Sequence, residues 1–111
     1  MQDNTPTIVY TTFPDFQSAK QVGGELVEQH YAACVNILKG MTSVYRWEGK
    51  LETGEEAVMI IKTTATCVDE VIAMVEKLHP YETPAVLSWP ATGGSQGYMD
   101  WIGEMTAPKQ S

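Results

Sequence analysis

Histidine chemistry in this sequence centres on His79, which lies directly before Pro80. A proline disfavours the helical conformation in the residue before it, so we expect His79 at the C-terminal end of a helix. At that end the helix dipole favours a positively charged imidazolium. Two interpretations stay open. His79 is either a structural residue at the helix end or a ligand for copper or zinc, which needs two or three further ligands.

A second group of polar residues is suited to forming a cleft, namely Lys62, Tyr81 and Glu82. Lys62 ends an apolar run, whereas Tyr81 and Glu82 lie in a short segment bounded by Pro80 and Pro84. An ammonium, a phenol and a carboxylate in one cleft suit a small anion or metabolite. The alternative is an ion pair between Lys62 and Glu82 at a subunit boundary, because subunit contacts have polar rims.

Enzymatic chemistry finds little support in the sequence. Neither the phosphate-binding pattern GxxxxGK[ST] nor the zinc-protease pattern HExxH occurs, and we expect no nucleophile with an adjacent base. Cys34 and Cys67 are too far apart for a CxxC redox or zinc pair, so we expect two packed thiols. His30 is expected to be solvated, and the six scattered methionines are expected to fill the core. We therefore predict a protein that is not an enzyme and requires no cofactor.

Length and charge narrow the choice of partners. The 111 residues suffice for one domain, and a hydrophobic fraction of 43% supports a globular core. Fourteen acidic and seven basic residues give a net charge of −7, which repels phosphate backbones and anionic lipid. We therefore expect neither nucleic acid nor a membrane as partner. Residues 1–6 lack the basic and apolar segments of a secretion signal, so we expect a cytoplasmic location.

Hydrophobic periodicity and turn residues divide the chain into seven elements. A β-branched run predicts a strand over residues 7–12, and helical spacing after Asp15 predicts a helix to about residue 31. Gly23 and Gly24 inside that helix indicate close packing against a sheet. The remaining predicted elements are a strand over residues 34–47 bent at Lys39–Gly40, its hairpin partner over residues 50–64, a helix ended by Pro80 with a capping box of Thr66 and Asp69, a strand over residues 85–89, and a short amphipathic segment over residues 98–105.

The order β-α-β-β-α-β predicts an α+β fold of the ferredoxin-like, split βαβ type, with a short C-terminal helix added. Two helices then cover one face of a four-stranded antiparallel sheet. The long central hairpin outruns these helices, so its tip needs another contact. We expect no helix on the second face, and an uncovered apolar face of that size marks an oligomer contact. The residues expected to make this surface apolar are Tyr45, Trp47, Met59 and Trp89.

Four segments resemble the CutA family of divalent-cation tolerance proteins, and the resemblance extends from Ile8 to about Met105. The segments are AACVN at residues 32–36, SVYRWEGKL at 43–51, IKTT at 61–64 and HPYETP at 79–84. The resemblance implies a tight homotrimer of ferredoxin-like subunits, in which the long hairpins brace neighbouring subunits. It also implies a likeness in assembly to the PII-type signalling proteins.

The family name implies a role in tolerance of copper and other divalent cations, and some members are described as copper-binding. The binding set assigned in bacterial members is a cysteine in the first strand and two adjacent histidines at the end of the second helix. The corresponding residues here are Thr11, Leu78 and His79. Only His79 matches that set, so we expect at most weak binding of copper or another divalent cation.

Two functions follow as alternatives. One is a metal-tolerance or metal-response homotrimer without catalysis. The other is a PII-like signalling or structural trimer that binds a small ligand in a cleft between subunits. The residues expected at these surfaces are Tyr45, Trp47 and Trp89 at the interface, and Lys62, Tyr81 and Glu82 in the cleft. We expect the family domain at residues 7–106, with tails at residues 1–6 and 107–111.

Overall fold

A computed structural model describes residues 3–106 of the chain. The predicted C-terminal tail, residues 107–111, lies outside this range, as do the first two residues of the predicted N-terminal tail. The elements are β1 (Pro6–Phe13), α1 (Phe16–Glu28), β2 (Cys34–Trp47), β3 (Lys50–Thr64), α2 (Val68–Leu78), β4 (Val86–Pro90) and α3 (Gln96–Met105). Every predicted element is present, with ends shifted by up to three residues.

The four strands form one antiparallel sheet in the order β2-β3-β1-β4. The two central strands pair along their whole shared length, from Pro6 opposite Thr64 to Phe13 opposite Ala57. The strands β2 and β4 are the edges. This order, with helices α1 and α2 on one face, is the ferredoxin-like arrangement, so the predicted fold class is confirmed.

The core lies between one face of the sheet and the helices α1 and α2. Strand β1 contributes Val9 and Phe13, and strand β3 contributes Met59 and Ile61, all without exposed surface. The helices contribute Ala19, Val22, Leu26, Val71 and Val75. The prediction that Met59 belongs to the second, uncovered face is wrong, because alternation along β3 turns its odd-numbered residues toward the helices.

Helix α1 approaches the sheet closely at Gly23. A methyl group on Gly23 would lie 2.7 Å from Val35 Cγ2 and 3.0 Å from Met59 Sδ, whereas one on Gly24 would meet nothing within 4 Å. The close packing inferred from the two glycines is therefore confirmed, and Gly23 alone accounts for it.

The start of α1 agrees with the sequence prediction, and its end does not. The Asp15 carboxylate accepts a hydrogen bond from the backbone N–H of Ser18 (2.8 Å), and this bond lowers the pKa of Asp15. The helix ends at Glu28 rather than near residue 31. The chain turns at His30, which is exposed as expected and has a left-handed φ of 63°.

The start of α2 differs from the predicted capping box. Its N-cap is Cys67, whose side chain makes no capping hydrogen bond. The hydroxyl of Thr66 instead accepts a hydrogen bond from Asp3 N (2.7 Å) and donates one to Asp3 O (2.8 Å). The prediction that Thr66 pairs with Asp69 is therefore wrong, because a partner 63 residues away occupies the hydroxyl.

The hairpin of β2 and β3 contains a bulge in β2. Leu38 pairs with Val58 and Met41 with Glu56, so Lys39 and Gly40 together face one residue of β3. Gly40 has a φ of 75°, a conformation that glycine adopts without strain. The predicted bend at Lys39–Gly40 is thus confirmed. The predicted turn is confirmed as well, because residues 48 and 49 both have positive φ and connect paired strand ends.

Within residues 3–106, the second face of the sheet is covered at one end only. Helix α3 contacts β3 and β1 there, and its Ile102 is buried. Further along the same face, Leu38 of β2 and Leu87 of β4 are exposed. The expectation that no helix lies on this face is therefore wrong for the end beside α3. It is correct for the part of the face that contains Leu38 and Leu87. The row beside α3 consists of Cys34, Lys62, Ile8 and Trp89, one from each strand.

Candidate functional site

His79 is held by both nitrogens of its ring. The residue is 8% exposed and its backbone is extended, as the following proline predicts. Nε2 lies 2.6 Å from the carbonyl oxygen of Thr12, and Nδ1 lies 3.0 Å from the backbone nitrogen of Tyr81. A carbonyl only accepts and a backbone N–H only donates, so these partners assign a neutral ring with its proton on Nε2. A metal ion would have to displace one of them.

The surroundings of His79 tie the loop after α2 to the hairpin. The imidazole stacks on Phe13 with ring centroids 4.3 Å apart and lies 4.9 Å from the ring of Tyr81. Tyr81 OH donates to Glu56 Oε2 (3.0 Å), and Ser43 Oγ donates to Glu56 Oε1 (2.8 Å). Burial, followed by the hydrogen bond to the Glu56 carboxylate, raises the pKa of Tyr81 to about 12. Tyr81 therefore stays a neutral donor, and His79 has the setting of a structural residue.

At the other two positions of the family's metal-binding set, this chain has neither the cysteine nor the first histidine. Thr11 is completely buried on the helix-covered face, and its hydroxyl has no hydrogen-bond partner in the part of the chain described. Leu78 is an exposed aliphatic residue. Within residues 3–106, no group of three or more His, Cys, Asp or Glu side chains is placed to hold a metal ion. The donor set within one subunit therefore does not fit a tight copper or zinc site.

Lys62 lies at the opposite end of the sheet from Tyr81 and Glu82. Tyr81 is bonded to Glu56, which precedes Lys62 by six residues on β3, and six residues of a strand span about 20 Å. The alternative of an ion pair between Lys62 and Glu82 is therefore not realised inside a subunit. A cleft that contains all three residues would have to draw them from two subunits.

Lys62 belongs instead to a group of side chains beside α3. Its ammonium donates to Asn36 Oδ1 and lies 5.8 Å from the centroid of the Tyr98 ring. The hydroxyl of Tyr98 lies 3.6 Å from Cys34 Sγ, and its ring stacks on Trp101 with centroids 5.7 Å apart. We call Cys34, Asn36, Lys62 and Tyr98 the donor cluster. This group was not predicted from the sequence, because the pairing of Cys34 with Lys62 depends on the register shift at the bulge in β2.

The three residues expected at an interface are all exposed in the subunit. The exposed fractions are 48% for Tyr45, 63% for Trp47 and 47% for Trp89. Val44 and Leu51 are exposed as well, and strand alternation turns them to the other side of the hairpin. Exposed apolar side chains therefore lie on both sides of the hairpin tip.

Residues 93–97 form the pattern GxSxG, which bears on the expectation of no nucleophile with an adjacent base. In α/β-hydrolases the serine of this pattern lies on a sharp strand-to-helix turn and is paired with a histidine. Here Ser95 is the N-cap of α3, five residues beyond the end of β4. The ring nitrogens of His79 are engaged elsewhere, and Nδ1 of His30 lies 3.4 Å from Met105 O at the far end of α3. The pattern therefore does not form a nucleophile with its base.

A family comparison extends over almost all of the described chain. Residues 7–105 match the model of the family described as "CutA1 divalent ion tolerance protein". The chain belongs to the CutA1 family. The match includes all three helices and all of the sheet except Pro6, and it confirms the resemblance that the four sequence segments indicated.

Individual CutA1 proteins agree with this assignment. The crystal structure of the divalent ion tolerance protein CutA1 from Ehrlichia chaffeensis superposes with a TM-score of 0.90 at 31% identity, covering 96% of this chain and 99% of that one. The divalent-cation tolerance protein CutA of Thermus thermophilus is 37% identical over 99 residues, which cover 89% of this chain and 96% of that protein. The chloroplastic protein CutA of Arabidopsis thaliana is 36% identical over 110 residues. Those residues cover 96% of this chain and 60% of the Arabidopsis protein.

The names of the family and of its members indicate a general role. The family and the Thermus relative are both named for tolerance of divalent cations. Within residues 3–106, no helix has both the length and the apolar character needed to cross a membrane.

Proposed function

We propose that this CutA1 protein acts in tolerance of copper and other divalent cations as a non-catalytic homotrimer that binds such cations only weakly. Family membership supports the tolerance role. The observation that carries the assembly is the hairpin tip, which exposes large apolar side chains on both of its sides. The proposed location is the cytoplasm, whereas the Arabidopsis relative is named as chloroplastic.

Two different surfaces of the subunit support a closed ring. One is the long hairpin with Trp47 at its tip, and the other is the outer part of the second sheet face, where Leu87 and Trp89 are exposed. The edge strands β2 and β4 also differ, since they contain 14 and 5 residues. Contacts between unlike surfaces form rings when the rotation closes, and a three-fold ring is the one that the resemblance implies.

Light scattering after size-exclusion chromatography tests the proposed assembly. At micromolar concentration we expect three times the subunit mass of 12.2 kDa. Assembly and folding are linked by mass action, so the melting temperature should rise with protein concentration. A particle of 12.2 kDa whose melting temperature is independent of concentration contradicts the trimer.

Weak metal binding follows from the ligands that a subunit offers. Imidazole is a good ligand for copper and zinc, but His79 is the one strong donor of the expected set, and both of its nitrogens are already hydrogen-bonded. Binding would cost one of those bonds. A neighbouring subunit has carboxylates to add, and these harder ligands suit zinc or manganese better than Cu(I).

Calorimetric titration with Cu(II) and Zn(II) measures this affinity. We expect dissociation constants in the micromolar range or weaker, with at most one ion per subunit and loss of binding on acidification, because imidazole binds metal only when neutral. His79→Gln should abolish the signal while keeping a donor and an acceptor at the buried position. His30→Asn, at the exposed histidine with positive φ, serves as the control. Nanomolar binding that survives His79→Gln would show that the ligands lie elsewhere.

A PII-like or structural trimer that binds a small ligand between subunits is the second candidate function. Lys62 favours it, because this half-buried ammonium contacts an amide and a ring, both uncharged. Tyr81 and Glu82 would line the same cleft only if another subunit supplied them. Equilibrium dialysis against Cu(II), Zn(II) and a panel of metabolites separates this function from metal tolerance through direct binding.

A further inference from the structure

The donor cluster brings four groups that donate hydrogen bonds to one place on the second sheet face. They are the Lys62 ammonium, the Asn36 amide, the Tyr98 hydroxyl and the Cys34 thiol. Cys34 and Lys62 are direct cross-strand partners, and Tyr98 reaches both from α3. The amide oxygen of Asn36 accepts from Lys62, which leaves the NH₂ group of Asn36 to donate to something else.

The charge of Lys62 is not balanced by its neighbours in the cluster. Its ammonium contacts the Asn36 amide and the Tyr98 ring, and neither carries a charge. The acidic residues of α3, Asp100 and Glu104, lie on another side of that helix, where they line a hollow of about 540 Å³. The rest of the sheet row next to Lys62 is uncharged. A half-buried cation in such surroundings is less screened than a surface charge.

We propose that the donor cluster binds a small anion, a carboxylate or a phosphate, with Lys62 as its counter-ion. Asn36 and Tyr98 supply hydrogen bonds to the anion oxygens, since bonds to a charged acceptor are the stronger ones. The proposal shares the small ligand with the second candidate function and names its chemical class, but it does not require a cleft between subunits. It also places the site on residues of a single subunit.

Cys34 provides a reporter for this site. Its thiol is partly exposed and lies beside Tyr98, whereas Cys67 is completely buried. Burial also raises the pKa of the Cys67 thiol, which lowers its reactivity. A neutral alkylating reagent should therefore react with Cys34 first, and an anion bound in the cluster should slow that reaction.

The experiment measures the rate of Cys34 alkylation by iodoacetamide in the intact protein at constant ionic strength. Inorganic phosphate, benzoate and benzamide are the probes, because benzamide has the shape of benzoate without its charge. We expect benzoate or phosphate to slow alkylation at least threefold at saturation, and benzamide to have no effect. The more protective of the two anions identifies the ligand as a carboxylate or a phosphate. Tryptophan fluorescence follows the same titration, because Trp101 stacks on Tyr98.

Two lysine variants test the counter-ion. Lys62→Met should weaken anion binding at least tenfold, whereas Lys20→Met, at an exposed position of α1, should leave it unchanged. If Lys62→Met does not fold, Tyr98→Phe takes its place, because it keeps the ring and removes one donor. A severalfold loss of affinity is then expected, and unchanged affinity contradicts the proposed site.

Equal protection by benzoate and benzamide, or protection by none of the three probes, would overturn the proposal. Light scattering on the same samples separates this result from a failure of the proposed assembly. A trimer that binds no anion removes the inference and leaves the assembly intact. A monomer whose Cys34 is protected by benzoate removes the assembly and leaves the anion site.

Discussion

Replacement of Trp47 by alanine is expected to weaken the proposed trimer far more than it perturbs the subunit. The side chain lies at the hairpin tip and is 63% exposed before assembly. A fully buried tryptophan removes about 150–250 Å² from water, so covering the exposed part contributes up to about 2.5–4 kcal/mol per subunit at about 25 cal/mol per Å². Three such contacts would act together. Light scattering over a dilution series should therefore show dissociation of the variant at concentrations where the wild type stays assembled.

A matched substitution at the same tip controls for this result. Lys50 is the cross-strand partner of Trp47 and is exposed, and Lys50→Ala shortens a side chain without removing aromatic surface. We expect this variant to assemble like the wild type. If Trp47→Ala also assembles and melts like the wild type, Trp47 is not an anchor of the interface.

Substitution of Gly23 by alanine is expected to destabilise the fold by about 1–3 kcal/mol, the range for overpacked cores. Helix propensity alone predicts the opposite sign, because alanine is favoured over glycine by about 1 kcal/mol inside a helix. The new methyl group would lie 2.7 Å from Val35 Cγ2, and Val35 has a β-branched side chain on a paired strand. Contact therefore outweighs propensity. Urea unfolding at fixed protein concentration measures the difference.

The adjacent residue supplies the control for this prediction. Gly24 lies in the same helix and has open space around its Cα, so Gly24→Ala should stabilise the protein by about 0.5–1 kcal/mol. Opposite signs at neighbouring positions are the expected outcome. If both variants are stabilised, α1 can move away from β2 and β3 without cost, contrary to the packing at Gly23.

The parts of the fold that depend on local chemistry were predictable from the sequence. Asp15 caps α1, Pro80 places His79 in an extended conformation, and Gly40 marks a bulge, each because one residue limits its own neighbourhood. Thr66 shows the limit of this approach. Its capping pattern is correct as a local motif, but Asp3 competes successfully for the hydroxyl, and such a partner appears only after folding.

The candidate site was predictable only in part for the same reason. His79 lies at the C-terminal end of α2, as predicted. Its interpretation as a structural residue was available from the adjacent proline. The hydrogen bond to Thr12 spans 67 residues, and the contact between Cys34 and Tyr98 spans 64, so neither has a local signal. Lys62 was singled out for its charge at the end of an apolar run, but its partners depend on how α3 returns to the sheet.

The bulge at Lys39–Gly40 also determines where β2 tolerates a change in length. Before it, the even-numbered residues Cys34 to Leu38 share the face of Lys62, and after it the odd-numbered residues, Trp47 among them, do so. The extra residue of the bulge accounts for this switch from even-numbered to odd-numbered residues, because β3 determines the pairing separately before and after the bulge. Loss of one residue at the bend would leave every pair intact, whereas a loss elsewhere in β2 would turn a run of side chains to the opposite face. Deletion of one residue of β2 at this bend would therefore leave the same side chains on each face of the hairpin.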